Sequence, residues 1–172
     1  EDINCLDLVR EQILIDQGMS LSVSQEDLSI NGHAMEVRIY GEDPANDFLP
    51  TAGPVLLFER SKVADARYDT GIETGSNVGI EFDPMLAKII VHAPTRTEAS
   101  LRLARVLETT RIQGLITNRD FLVSVLREQA FLDGDTTTDY IERINPPRSR
   151  VVDRGQIIEG AIAAAMAAQY DR

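Results

Sequence analysis

The sequence predicts an α+β domain: an antiparallel, barrel-like sheet flanked by helices. Three observations lead there. Residues 33–40 alternate strictly between apolar and polar side chains, the period of a half-buried strand. Four more short apolar segments follow between Gly and Pro breakers, joined by connections too short for crossover helices. From Thr95 onward the apolar period lengthens to that of helices.

The elements follow in order. Glu1 to Gly18 reads as a helix already under way, with Leu6, Val9 and Ile13 as its apolar face and Gly18 as its stop. No initiator Met or leading cap precedes it, which fits an excised fragment as well as a trimmed independent start. Met19 to Asn31 is a connector anchored by Val23, Leu28 and Ile30, and Asn31-Gly32 is a turn dipeptide. In the strand His33 to Tyr40, Met35, Val37 and Ile39 point one way; Ala34, Glu36, Arg38 and Tyr40 point the other. Gly41 to Gly53 is a loop. Pro54–Glu59, Ala66–Ile72, Asn77–Phe82 and Met85–Ala93 are the remaining strands of the sheet, broken by Gly71, Gly75 and Asp83-Pro84.

Thr95 is placed to cap a helix, with Glu98 three residues on to complete a capping box. Leu101, Ala104, Val106 and Leu107 continue its apolar face. Arg111 to Thr117 is one more short strand. Asn118 to Gln129 is a helix with Phe121, Leu122, Val125 and Leu126 inward, and Thr138 to Ile144 is a short third one. Asn145 to Arg154 reads as a linker around Pro146-Pro147. Gly155 to Tyr170 is an Ala-rich helix with a stripe of Ile158, Ala161, Ile162, Ala165 and Met166. Such a helix needs a partner surface, on this domain or on one that follows. The chain thus divides into residues 1–18, 19–144, 145–154 and 155–172.

Composition narrows the function. Lys and Arg number 17 against 28 Asp and Glu, a net charge of −11. That excess opposes non-specific binding to nucleic acid or anionic lipid. No apolar run reaches a membrane span of ~18–20 residues, and the N-terminus lacks the pattern of a signal peptide. A cytoplasmic globular protein is expected. One cysteine and two histidines supply neither an internal disulfide nor a zinc cluster. No Gly-rich phosphate loop is present, and no metal site is expected.

Single residues carry the remaining signal. His33 and His92 read as surface or cap histidines, and Cys5 as a buried filler. Arg38 shares a strand face with Glu36, about 7 Å along the strand. It is either one half of an exposed ion pair or a fixed guanidinium aimed at an anionic ligand. Lys88 interrupts the apolar segments Met85-Leu86-Ala87 and Ile89-Ile90-Val91, so its ammonium needs a carboxylate or an exposed face. Asp83 either caps a turn or orients a cation.

Several linked motifs then resemble a known family. They are Gly32-His33-Ala34-Met35-Glu36-Val37-Arg38-Ile39, Glu42-Asp43-Pro44 with Phe48-Leu49-Pro50, and Phe82-Asp83-Pro84-Met85-Leu86-Ala87-Lys88. Gly114 with Thr117-Asn118, and Phe131 with Gly134 and Thr136-Thr137, continue the series. In that order they are similar to the C-terminal part of biotin carboxylase, over roughly Glu1 to Ile144. The Pro-rich linker, the final helix and the stretch from Thr136 to Arg143 look more like the biotin-containing (alpha) subunit of an acyl-CoA carboxylase.

The resemblance implies a ligase that uses ATP, Mg²⁺ or Mn²⁺ and bicarbonate to carboxylate biotin held on a carrier domain. A carboxyltransferase partner then passes the carboxyl group to an acyl-CoA, as in fatty acid metabolism. It implies that residues 1–18 end an ATP-grasp region and that ATP and metal contacts lie outside this chain. The fragment alone is then expected to be inactive and to bind none of these cofactors. Arg38 falls on the family's catalytic arginine, which contacts the biotin ureido oxygen and bicarbonate and stabilises the biotin enolate. Glu36, Asp83 and Lys88 are the expected substrate-binding companions, with Glu36 and Asp83 holding Arg38 and Lys88 pairing with one of them. Arg67 falls near a homodimer contact of the family, although a surface ion pair explains it equally. The alternative is a non-catalytic dimerisation or carrier-docking module built on the same fold.

Overall fold

The computed structural model describes all residues except 64, 82, 151–152 and 171–172. Phe82, the expected end of the strand from Asn77, and residues 151–152 of the expected linker therefore lie outside the described residues. In chain order the elements are α1 (Leu8–Asp16), β1 (His33–Tyr40), β2 (Glu42–Asp43), β3 (Leu49–Pro50), β4 (Gly53–Pro54), β5 (Leu57–Glu59), β6 (Arg67–Thr70), β7 (Asn77–Val78) and β8 (Met85–Ala93). Then come α2 (Arg96–Thr109), β9 (Arg111–Gln113), α3 (Arg119–Arg127), α4 (Gln129–Leu132), α5 (Tyr140–Ile144) and α6 (Arg154–Tyr170).

The main sheet is antiparallel with the order β1-β8-β6. Met35, Val37 and Ile39 pair with Val91, Ile89 and Ala87, so one face carries apolar side chains from both strands. Helix α2 lies on that face. Its Leu103, Ala104, Val106 and Leu107 pack with Val37, Ile39, Leu86, Ile89 and Val91 into the core. Leu126 joins from α3, and the buried Ser100 hydroxyl ties the two helices by donating to the Leu126 carbonyl at 2.7 Å. The capping box forms: Thr95 Oγ1 accepts from the Glu98 N–H at 3.2 Å, and Glu98 Oε2 accepts from the Thr95 N–H at 3.1 Å.

The sheet is not a barrel. Among the described residues the other strands form three separate two-stranded ladders, β2 with β3, β4 with β7 and β5 with β9. Each offers only two or three residue pairs. The expected strand Pro54–Glu59 is split because Val55 leaves the ladder to fill a fully buried position. Gly114 lets β9 pass close to β4: its φ is +110°, and a Cβ there would collide with the Pro54 carbonyl oxygen and come within 2.9 Å of the Leu56 nitrogen.

Four other expectations change. Helix α1 begins within the chain, capped by the Asp7 side chain, which accepts from the Arg10 N–H. Its Val9 and Ile13 are exposed, as are Leu28 and Ile30 of the connector. The group that α1 buries is a carboxylate, Glu11, which accepts from the Ser22 hydroxyl at 2.6 Å and the Ser22 N–H at 3.0 Å. Cys5 is exposed, at a positive φ, because the chain turns before α1 starts. The first part of the expected linker packs onto the domain: Pro146 is fully buried, and Arg148 stacks over the rings of Phe48 and Phe121 at 4.8 and 5.8 Å. In α6 the side chains of Ile157, Ile158, Ile162 and Met166 are more than half exposed. Among the described residues, no helix is long and apolar enough to cross a membrane.

The Glu11 contact has a pH signature. The two Ser22 donors hold its carboxyl below the usual range. A carboxyl with a depressed folded pKa stabilises above its unfolded value and loses that contribution as pH falls through the folded one. Glu11→Gln should therefore weaken the fold near pH 7 and make little difference once pH drops below the range where Glu11 protonates. Denaturant titrations at the two pH values check this.

Candidate functional site

β1 is an edge strand, and a cleft of about 450 Å³ runs along its free side, between it and the helices. Met35, Val37, Leu122 and Phe131 contribute its apolar wall; Arg38, Glu36, Arg96 and Asn118 bring its polar groups. The strand period explains this mixture. Val37 and Ile39 are committed to the core, so Glu36 and Arg38 must face outward.

The Arg38 side chain is 61% exposed and pairs with Glu36 at 3.5 Å. Tyr40, and after it Glu36, hold the guanidinium above its ordinary range. Arg38 is thus a permanent, largely exposed cation lining a partly apolar cleft. A planar fork in that position suits an oxyanion. Arg96, at the start of α2, is committed elsewhere: its Nε donates to the Phe131 carbonyl at 3.0 Å and its guanidinium lies 4.9 Å from the Phe131 ring.

Two expected companions make other contacts than those expected. Lys88 is opposite Arg38 on one side and Asp69 on the other, because β8 lies between β1 and β6. Its ammonium pairs with Asp69 at 3.5 Å rather than with Glu36 or Asp83. Asp69 also takes Arg67 at 3.3 Å, and Arg67 reaches Asp2 at 3.6 Å and Glu1 at 3.9 Å. Lys88 thus lies on the outward face of the sheet with Asp69 as its counter-ion, which explains a Lys inside an apolar strand. Asp83 caps a turn: its Oδ1 accepts from the Met85 N–H at 2.8 Å and starts β8. It does not line the cleft and makes no ion pair with Arg38 or Lys88 among the described residues.

The expected companions did not include the site's most connected residue, Asn118. Its side chain is buried against the free edge of β1, with Oδ1 accepting from the Tyr40 N–H at 3.0 Å. Its Nδ2 donates to the Arg38 carbonyl at 3.2 Å and to Glu42 Oε1 at 3.1 Å. Burial pushes the Glu42 carboxyl up, against the opposing pull of that hydrogen bond. Asn118 stands in the sequence as a helix start, and nothing there tells which strand it touches. Among the described residues no three of His, Cys, Asp and Glu converge as metal ligands. The described residues here do not fit Mg²⁺ or Mn²⁺.

Residues 36–143 match the model of the biotin carboxylase C-terminal domain. Over 143 residues the chain is 41% identical to biotin carboxylase 2 of Bacillus subtilis, covering 83% of this chain and 32% of that protein. It is 37% identical over 148 residues to the human mitochondrial propionyl-CoA carboxylase alpha chain, covering 85% of this chain and 20% of that one. Its fold is similar to the biotin carboxylase domain of Hydrogenobacter thermophilus 2-oxoglutarate carboxylase, solved as a dimer in complex with MgADP, ADP and bicarbonate. There the TM-score is 0.80 at 34% identity, over 84% of this chain and 32% of that one. The chain thus spans about a third or less of each of these relatives. By the family model and these likenesses, the chain belongs to the biotin carboxylase C-terminal domain family.

Proposed function

We propose that this chain is the C-terminal part of a biotin carboxylase in the alpha subunit of an acyl-CoA carboxylase, and that Arg38 stabilises charge on biotin during carboxylation. The observation that carries the reading is Arg38 itself: a largely exposed guanidinium at the rim of a cleft, on a strand whose other face is locked into the core. Removing the N1′ proton of biotin moves negative charge onto the ureido oxygen. Arg38 binds that oxygen more strongly once it is anionic than while it is neutral, and the difference lowers the barrier. Glu36 limits the rotamers of Arg38 through their ion pair, so that less reorientation is needed at the moment of reaction.

ATP, the divalent metal and bicarbonate are the business of an ATP-grasp region elsewhere in the protein, and the biotin arrives on a carrier domain. The MgADP and bicarbonate of the 2-oxoglutarate carboxylase domain support the use of nucleotide and bicarbonate by the whole protein, and its dimer favours a homo-oligomer here. The likeness to the propionyl-CoA carboxylase alpha chain supports a carboxyltransferase partner and an acyl-CoA as the final acceptor.

The test compares the chain alone with the full-length protein. The chain alone should show no bicarbonate-dependent ATP hydrolysis, and the full-length protein should hydrolyse ATP with bicarbonate and carboxylate free biotin. ATP turnover by the chain alone, or a full-length protein that leaves biotin untouched, overturns the reading.

A further inference from the structure

We propose that Asn118 is a positioning residue for Arg38, a role that rests on the reading of Arg38 above. Three independent features of the structure meet at it. First, its carboxamide acts as a substitute strand: it accepts from the Tyr40 N–H at 3.0 Å and donates to the Arg38 carbonyl at 3.2 Å, on the side of β1 that has no neighbouring strand among the described residues. The backbone N–H of Asn118 adds a longer bond to the Tyr40 carbonyl at 3.3 Å. The peptide groups on both sides of Ile39 are thereby fixed immediately after Arg38.

Second, the ladder on the other side is irregular at this point. The pairing of β1 with β8 shifts register between Ile39 and Tyr40. A bulge bends the strand and weakens the local ladder. Asn118 supplies from the free edge the hold that the bulge removes, one residue from Arg38.

Third, Asn118 gives up a competing role. It occupies the N-cap position of α3, where Asn is among the best capping residues, yet its side chain makes no cap hydrogen bond. Its carboxamide is committed instead to β1 and to Glu42, and the residue is buried. A side chain that served only helix α3 would turn the other way. Glu42 in turn accepts from Nδ2 at 3.1 Å, which fixes the amide's orientation with its oxygen toward Tyr40. The guanidinium of Arg38 then leaves a strand whose backbone is held from both edges.

The test uses the full-length enzyme and two variants. Asn118→Ala removes the whole clamp. Asn118→Asp keeps the acceptor for the Tyr40 N–H and loses the donors while its carboxyl is ionised. A misplacement of this kind costs about ten- to a hundredfold. Asn118→Ala should therefore lower kcat/KM for biotin carboxylation by about that factor. Asn118→Asp should regain activity relative to the wild type as pH falls, because a protonated carboxyl again donates to the Arg38 carbonyl. Hydrogen exchange over residues 33–40 should accelerate in Asn118→Ala.

The double variant with Arg38→Ala decides the role. If Asn118 acts through Arg38, its replacement adds little to the loss already caused by Arg38→Ala. Fully additive losses, or an Asn118→Ala enzyme with normal biotin kinetics, would sink the proposal. Normal biotin kinetics in Arg38→Ala instead sinks the reading of Arg38 and with it the catalytic half of this inference. Accelerated exchange in Asn118→Ala would then still show the clamp on β1.

Discussion

On the proposed function, replacing Arg38 by Ala in the full-length protein is expected to lower the rate of biotin carboxylation by about a hundred- to a thousandfold, the usual cost of losing one donor to a developing oxyanion. The fold should survive. The side chain is 61% exposed, and its partner Glu36 is itself 39% exposed, so the ion pair lies in water and supports the domain little. The loss should fall on kcat and kcat/KM together, because the interaction strengthens only when the ureido oxygen carries charge. Arg38→Lys should recover only part of the rate: an ammonium keeps the charge but loses the planar pair of donors. Steady-state kinetics in biotin at saturating ATP and bicarbonate gives both numbers. If carboxylation persists while oligomerisation or carrier docking fails, the domain is an assembly module and the catalytic reading is wrong.

Leu103→Ala is expected to cost about 2–5 kcal/mol of folding stability, the range for a fully buried leucine. Leu103 has no exposed surface and sits on α2 between the β1–β8 face and α3. The surrounding Ile39, Ile89 and Leu107 come from three elements of fixed geometry, so the cavity has little means to collapse. Domains of this size are stable by only about 5–15 kcal/mol, which makes the change a large fraction of the total. Leu101, on the same helix but 39% exposed, is the control: Leu101→Ala should cost much less. Urea titrations should show a lower midpoint for Leu103→Ala with an unchanged slope.

How far such features can be read before any coordinates depends on the range of the interaction. β1 and β8 run over the residues expected from their patterns, and the Thr95–Glu98 capping box forms as spelled. Each is a local signal: alternation, an apolar run between breakers, and a side chain bonding three residues away. The motif series that resembles biotin carboxylase is likewise a property of the chain, and the family match covers it. How the remaining strands pair is not legible in the same way, and the expected barrel-like sheet gives way to separate ladders. Ladders of two or three pairs, such as β4 with β7, are held by contacts distant in sequence, and short apolar runs do not disclose which of them pair.

The charged residues divide along the same line. The outward facing of Glu36 and Arg38 follows from period-two geometry once Val37 and Ile39 are inside. The partner of Lys88 does not. Asp69 lies beside it only because β6, and not a strand bearing Asp83, forms the third strand of the sheet. Helix α1 gives the same lesson in reverse. Its pattern of Val9 and Ile13 resembles a buried stripe, yet the group it buries is Glu11, since Ser22 supplies two donors that compensate the carboxylate.

The order of residues alone therefore determined the two long strands, the capped helix, the face on which Arg38 lies and the family to which the chain belongs, because each depends on spacing within a few residues or on a linear motif. Only the tertiary structure decided that β1 is an edge, that a cleft opens beside it, and that Asn118, 80 positions from Arg38, holds its backbone. Those outcomes depend on which distant segments come into register, and a hydrogen bond across such a separation leaves no periodicity along the chain.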